Sequence, residues 1–335
     1  MRRFALKYLI LRTLSTVAGV AIIIVNLTRG IDYDRSFFFG IQTFLLAYVS
    51  FFIADSVSRF WWNRWRPVDA NAVASKNMTV TITCGRNISG IMHEPASPKD
   101  IGKARGIIIA SYGFNDNQFR ATHIAQALAA AGFSVFSWDY RGRGESRGKI
   151  TDLNGHVADL RSLIDHFSKD RSGNVRAVFL LGWSMGGMVS IHAGLHNEKV
   201  SKIFAWSTWS DLRKRVLWRL YLNPFVLLRY LFKGELLYVS REANKAVSPV
   251  HYFESLAREL GGKEKVVALA REKLFLCHAR NDTMIGFDNF VENARWLQLP
   301  TGNQISFKKG SHFMLRKEPV LIGLACHHFS GGGAA

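Results

Sequence analysis

The feature that most constrains this chain is an apolar run ending in a glycine-flanked serine: Val178-Phe179-Leu180-Leu181-Gly182-Trp183-Ser184-Met185-Gly186-Gly187-Met188. A short continuous apolar run is the pattern of a strand buried on both faces. The small residues behind the serine open a helix. A strand turning directly into a helix holds the serine at the apex in strained backbone, with its hydroxyl exposed above the sheet. Gly182 and Gly186 flank it because side chains there would collide where the two arms of the turn nearly touch. The helix start leaves the Met185 N–H without an intrahelical acceptor, able to hold a developing oxyanion. Five residues of the form Gly-x-Ser-x-Gly also suit an ordinary glycine-rich β–α turn, so the decision rests on the rest of the chain.

On either side the same alternation continues. Strands are expected near 78–84, 88–93, 106–110, 133–138, 200–207, 273–279 and 304–307, with helices over 119–131, 152–167, after Ser184, near 287–297 and from 318. This predicts an α/β domain over 77–330, with a mostly parallel sheet covered by helices on both faces. The alternation breaks at a helical, aromatic and basic insertion over about 211–265, expected to be a lid above the catalytic end of the sheet. Basic residues such as Arg213, Lys214, Arg215 and Arg219 are interleaved there with leucines and aromatics, a pattern that suits either docking on an anionic leaflet or a lid whose apolar face packs on its own domain with its charges solvated. Residues 67–76 read as a linker, and 331–335 as a small-residue tail.

Residues 1–66 are different. Two uncharged apolar runs, 13–28 and 36–54, are separated by the short polar loop 30–35. The first reaches spanning length only when extended back to Phe4, with Lys7 and Arg12 reaching toward headgroups. Together they predict a hairpin of two transmembrane helices, followed by an interfacial belt, Phe60-Trp61-Trp62-Asn63-Arg64-Trp65-Arg66. Arg2, Arg3, Lys7 and Arg12 precede the hairpin and Arg59, Arg64 and Arg66 follow it, against Arg29 and Arg35 between. That bias places both ends, and the catalytic domain, in the cytoplasm. A signal peptide would explain the first run alone, and the chain shows no convincing small-x-small cleavage site before the loop. Two buried core helices would carry a polar face.

The formal charge of +19 suits nucleic acid or an anionic membrane. No nucleic-acid motif accompanies it, so the membrane is the expected partner, and no obligate protein partner is inferred. Cys84, Cys277 and Cys326 are widely separated and lack metal-ligand spacing, which argues against a metal site and a disulfide framework.

A serine nucleophile needs a base, and the base needs an orienting group. Beyond the strand at 274–277 comes His278-Ala279-Arg280-Asn281-Asp282, and beyond 305–307 comes Gly310-Ser311-His312-Phe313. Across 77–330 the chain resembles the α/β-hydrolase family, and within it the monoacylglycerol lipase and lysophospholipase group. The likeness rests on Gly182-Trp183-Ser184-Met185-Gly186-Gly187, on Asp139-Tyr140-Arg141-Gly142-Arg143-Gly144-Glu145-Ser146, and on the placing of Asp282 and His312. It implies Ser184 as nucleophile, His312 as general base, Asp282 as its orienter, and the N–H groups of Phe114 and Met185 as the oxyanion hole. His278 at a strand end, His327 and His328 in the terminal helix, and Asp288 at a helix start are worse placed.

The family commonly has His-Gly after its third strand, where this chain has Tyr112-Gly113-Phe114. The oxyanion hole survives that change because its donor is a backbone N–H. Tyr112 and Trp183 are expected to bear on substrate shape, although packing is the commoner use of a buried Trp. The resemblance implies a membrane-anchored serine hydrolase of acyl esters such as monoacylglycerols or lysophospholipids, acting through an acyl-enzyme with no metal or organic cofactor. The same triad would serve a protein-deacylating thioesterase or a serine peptidase. A catalytically silent scaffold at the membrane is a further alternative, against which the intact Ser, Asp and His weigh.

Overall fold

The computed structural model describes residues 17, 19–30, 32–64, 72–83, 85–96, 105–114, 118, 122–146, 153–168, 177–212 and 247–331, with backbone alone for residue 48 and residues 51–64. The chain divides into two units, 1–66 and 67–335. In the second, the strands are β1 (Val73–Thr81), β2 (Asn87–Pro95), β3 (Ile107–Ser111), β4 (Ser134–Trp138), β5 (Val178–Trp183), β6 (Val200–Trp206), β7 (Leu274–Ala279) and β8 (Gln304–Phe307). They form one sheet in the order β1-β2-β4-β3-β5-β6-β7-β8. β1, β2 and β4 pair antiparallel, and every pairing from β4 to β8 is parallel.

Numbering the helices of the described residues in chain order, α1 (19–28) and α2 (Tyr33–Arg64) belong to the first unit. The second holds α3 (Thr122–Ala130), α4 (Leu153–Phe167), α5 (Met185–Gly194), α6 (Pro249–Leu260), α7 (Lys263–Lys273), α8 (Phe287–Trp296) and α9 (Glu318–Phe329). The central strands read as apolar runs because both their faces are covered. Ile109, Leu180 and Ile203 pack with Leu163 of α4, Met188 of α5 and Phe253 of α6. Ile108, Leu181, Phe204 and Phe275 pack on the other side with Leu128 of α3 and Phe329 of α9. Each such side chain contributes roughly 1.5–3 kcal/mol by leaving water. Helix α5 is buried along its whole length, which suits its run of small and apolar residues.

Two boundaries differ from expectation. Strand β1 begins at Val73, so 73–76 are not linker. These residues pair with Met92–Pro95 of β2, and Lys76 forms an ion pair with Glu94 at 3.4 Å. The edge strand is held by its ladder and is mostly exposed, so it lacks the apolar alternation that would announce it. The end of the expected lid is also core. Phe253, Leu256, Val266 and Ala270 of α6 and α7 are buried, and α7 runs straight into β7. The middle of that insertion, 213–246, lies outside the described residues, as do Cys84 and the tail from 332.

In the first unit α1 and α2 pack closely where Gly19 meets Gly40. A Cβ on Gly40 would lie 2.3 Å from the Ile23 side chain and 2.9 Å from the Gly19 carbonyl oxygen. Ser36 lies on the same buried face as Gly40, one turn before it, while Val20, Ile24, Phe38 and Leu46 point outward and are exposed. Among the described residues no helix is long and apolar enough to cross a membrane. The first expected span begins in residues outside the description, and the second continues past residue 50 into residues whose side chains are not described.

Candidate active site

Ser184 sits between the end of β5 and the first residue of α5, at φ 56° and ψ −117°. That backbone is strained for any residue with a Cβ, and the turn from β5 into α5 holds the serine there. Its glycine neighbours are required for separate reasons. A Cβ on Gly182 would lie 2.4 Å from the Gly186 carbonyl oxygen, across the turn as expected. A Cβ on Gly186 would lie 2.1 Å from the Ser111 carbonyl oxygen, so there the collision is with β3 rather than with the other arm. Since that neighbour is backbone, Gly186→Ala should cost about 3 kcal/mol, the upper end of ordinary overpacking. Urea unfolding tests this, and a variant as stable as the parent contradicts it.

The structure brings Ser184, His312 and Asp282 into one hydrogen-bonded line. His312 Nε2 is 3.0 Å from Ser184 Oγ, and His312 Nδ1 is 2.8 Å from Asp282 Oδ2. A carboxylate only accepts, so Nδ1 carries the proton and the Nε2 lone pair faces the hydroxyl. The Met284 and Ile285 N–H groups, each at 2.9 Å, donate to Asp282 Oδ1. Burial alone would raise the Asp282 carboxyl. The His312 ring, His278 and the Ile285 N–H outweigh it and hold the carboxyl below the usual carboxylate range.

The histidine loop is braced by Asn281, which the sequence did not single out, and by Trp183, expected to bear on substrate shape. Asn281 Oδ1 accepts the N–H groups of Gly310 and Ser311, at 2.9 and 3.0 Å. Trp183 donates its indole N–H to the His312 carbonyl at 3.2 Å and packs edge-on against Phe313. It thus supports the loop that carries His312. Tyr112 is buried, and its carbonyl accepts the Tyr140 hydroxyl at 2.9 Å.

The octapeptide from Asp139 to Ser146 is braced by its own carboxylate and reaches Phe114. Asp139 accepts the N–H groups of Gln118 and Glu145, at 2.7 and 2.8 Å. Burial still raises its carboxyl above the usual range. A Cβ on Gly144 (φ 51°) would lie 2.0 Å from Asp139 Oδ2, which explains that glycine. The Arg143 guanidinium lies 4.5 Å from the centre of the Phe114 ring. Met185, as the first residue of α5, has an N–H with no intrahelical acceptor. Asp288 lies in the first turn of α8, His327 and His328 lie on α9, and His278 lies at the end of β7. Among the described residues no group of His, Cys, Asp and Glu could hold a metal ion.

Solved structures share this arrangement of sheet and helices. An esterase from Pyrococcus furiosus aligns with a TM-score of 0.56 at 14% identity, covering 78% of this chain and 92% of its own. A 2,6-dihydroxy-pseudo-oxynicotine hydrolase aligns at 0.58 and 13% identity, covering 96% and 89%. The chain has the α/β-hydrolase fold. Residues 102–258 match the family model described as serine aminopeptidase, S33. A Mycolicibacterium smegmatis monoacylglycerol lipase is 38% identical over 86 residues, 25% of this chain and 30% of that protein. A human monoglyceride lipase is 33% identical over 96 residues, 28% and 31%. The chain therefore spans about a third of the length of these curated relatives.

Proposed function

We propose that this hydrolase-fold chain is a membrane-anchored serine hydrolase of acyl esters, with monoacylglycerols or lysophospholipids as substrates. The observation that carries the reading is the Asp282–His312–Ser184 line at a strained turn. Ser184 is the nucleophile, His312 takes its proton, and Asp282 orients the ring and stabilises the imidazolium. The N–H groups of Phe114 and Met185 hold the oxyanion of the tetrahedral intermediate. His312 then protonates the leaving alcohol, and water activated by the same ring releases the acid from the acyl-enzyme.

The lipid assignment is supported by the partial likeness to monoacylglycerol lipases and by the first unit. A bilayer would cover the exposed apolar side chains of α1 and α2, and small residues at the seam permit close helix packing there. The hydrolase domain then faces the cytoplasm. A peptidase is the second reading, because the matching family model carries that description.

The full chain should float with lipid vesicles, stay bound at high salt, and hydrolyse a vesicle-borne monoacylglycerol faster than an aminoacyl peptide. Recovery in the soluble fraction would remove the anchor. Preference for the peptide would replace the lipid-ester reading.

A further inference from the structure

We propose that His278 is a positioning residue for the Asp282–His312 pair: its imidazole closes the turn that holds the acid and faces the oxygen that orients the base. The inference rests on the reading of Asp282 and His312 given above. His278 is the fifth residue of β7 and is fully buried. Its Nε2 lies 3.0 Å from the Ile285 carbonyl oxygen and 3.4 Å from Asp282 Oδ2. Both neighbours are acceptors, so Nε2 carries the proton and donates to the Ile285 carbonyl. The N–H of that same Ile285 donates to Asp282 Oδ1. The turn from Asp282 to Ile285 is therefore pinned at its far end by His278. The ring is held in turn by Phe287 and Phe290 of α8, at centroid distances of 6.1 and 6.0 Å.

The second effect is electrostatic. Oδ2 of Asp282 accepts the Nδ1–H of His312 and is approached on another side by the Nε2–H of His278. A carboxylate oxygen facing an extra donor is less basic, and it draws less strongly on the proton it shares with His312. Burial is the largest influence on His278 and holds it neutral. Asp282 and Asp288 pull toward protonation, and His312 opposes it. His278 thus acts on Asp282 through its N–H dipole and not through a charge.

Two measurements on the full chain test this. Nitrogen NMR of the wild type should show His278 as the neutral Nε2–H tautomer throughout the pH range of activity. An Nδ1–H tautomer, or protonation within that range, would overturn the proposal. His278→Phe should lower kcat on the order of 10²-fold with KM little changed, the cost of a slightly misplaced catalytic group. The acidic limb of its kcat/KM profile should move to higher pH. His278→Gln, which keeps an N–H near the Nε2 position, should recover most of the rate and the wild-type limb. An unmoved limb in His278→Phe, or a glutamine variant no better than phenylalanine, would also overturn it. If His278→Phe does not fold, the tautomer and the His278→Gln limb, expected to match that of the wild type, still decide. A wild type that hydrolyses no ester would remove the functional reading and leave the tautomer result standing, so the two failures are distinguishable.

Discussion

Replacing Ser184 by alanine is expected to lower kcat/KM for acyl esters on the order of 10⁴- to 10⁶-fold while the chain stays folded. The nucleophilic Oγ and the partner of His312 Nε2 are lost together, whereas the core around the turn is unchanged. Glycine at the same position adds a second, independent expectation. At φ 56° any Cβ is strained, so Ser184→Gly should be as inactive as the alanine variant yet more stable by about 1 kcal/mol. Asp282→Asn should be severely impaired as well, because an amide offering N–H to His312 favours the wrong tautomer. Full activity in Ser184→Ala would place the nucleophile elsewhere. A glycine variant no more stable than alanine would contradict the strain.

Acid should unfold this domain well before its carboxylates are all protonated. Burial lowers His93 and His328 to about 4, and His156 and His192 to about 3. In the unfolded chain each takes a proton near pH 6.5. Between that pH and about 4 the unfolded state binds more protons, so stability is complete above 6.5 and is lost as pH falls through this window. Four such groups together amount to several kcal/mol, comparable to the whole stability of a domain. Asp282, whose carboxyl is depressed, acts in the same direction, and its share goes at still lower pH as its native carboxyl protonates. Asp139, whose carboxyl is raised, opposes the loss because the native state takes up that proton more readily. Urea midpoints at pH 7.5, 6 and 5 should fall steadily. A flat midpoint over that range would contradict the assignment of these histidines as buried and neutral.

The parts of the fold that could be read from the sequence are those whose signal is local. Strands β3 to β7 show as apolar runs because helices cover both faces of the sheet. Ser184, Asp282 and His312 could be placed because each follows the end of a strand, where the chain emerges at the carboxyl end of the parallel sheet. Strand β1 begins earlier than the sequence shows because the exposed residues from Ala74 to Asn77 owe their strand to pairing with β2, which is not written in their own alternation. Gly186 shows the same limit: its neighbour is Ser111, 75 residues earlier on another strand. The roles of Asn281 and of the octapeptide from Asp139 to Ser146 depend on which loops meet above the sheet. The likeness pointed to that octapeptide, and the structure assigns its carboxylate to bracing backbone N–H groups.

The central claim is that Ser184 is the nucleophile activated by His312. It is tested most directly by incubating the folded full chain with a fluorophosphonate and mapping the adduct by peptide mass spectrometry. The account predicts one stoichiometric adduct on Ser184, absent in Ser184→Ala and strongly slowed in His312→Ala. A folded protein that takes up no label, or carries it on another residue, would contradict it.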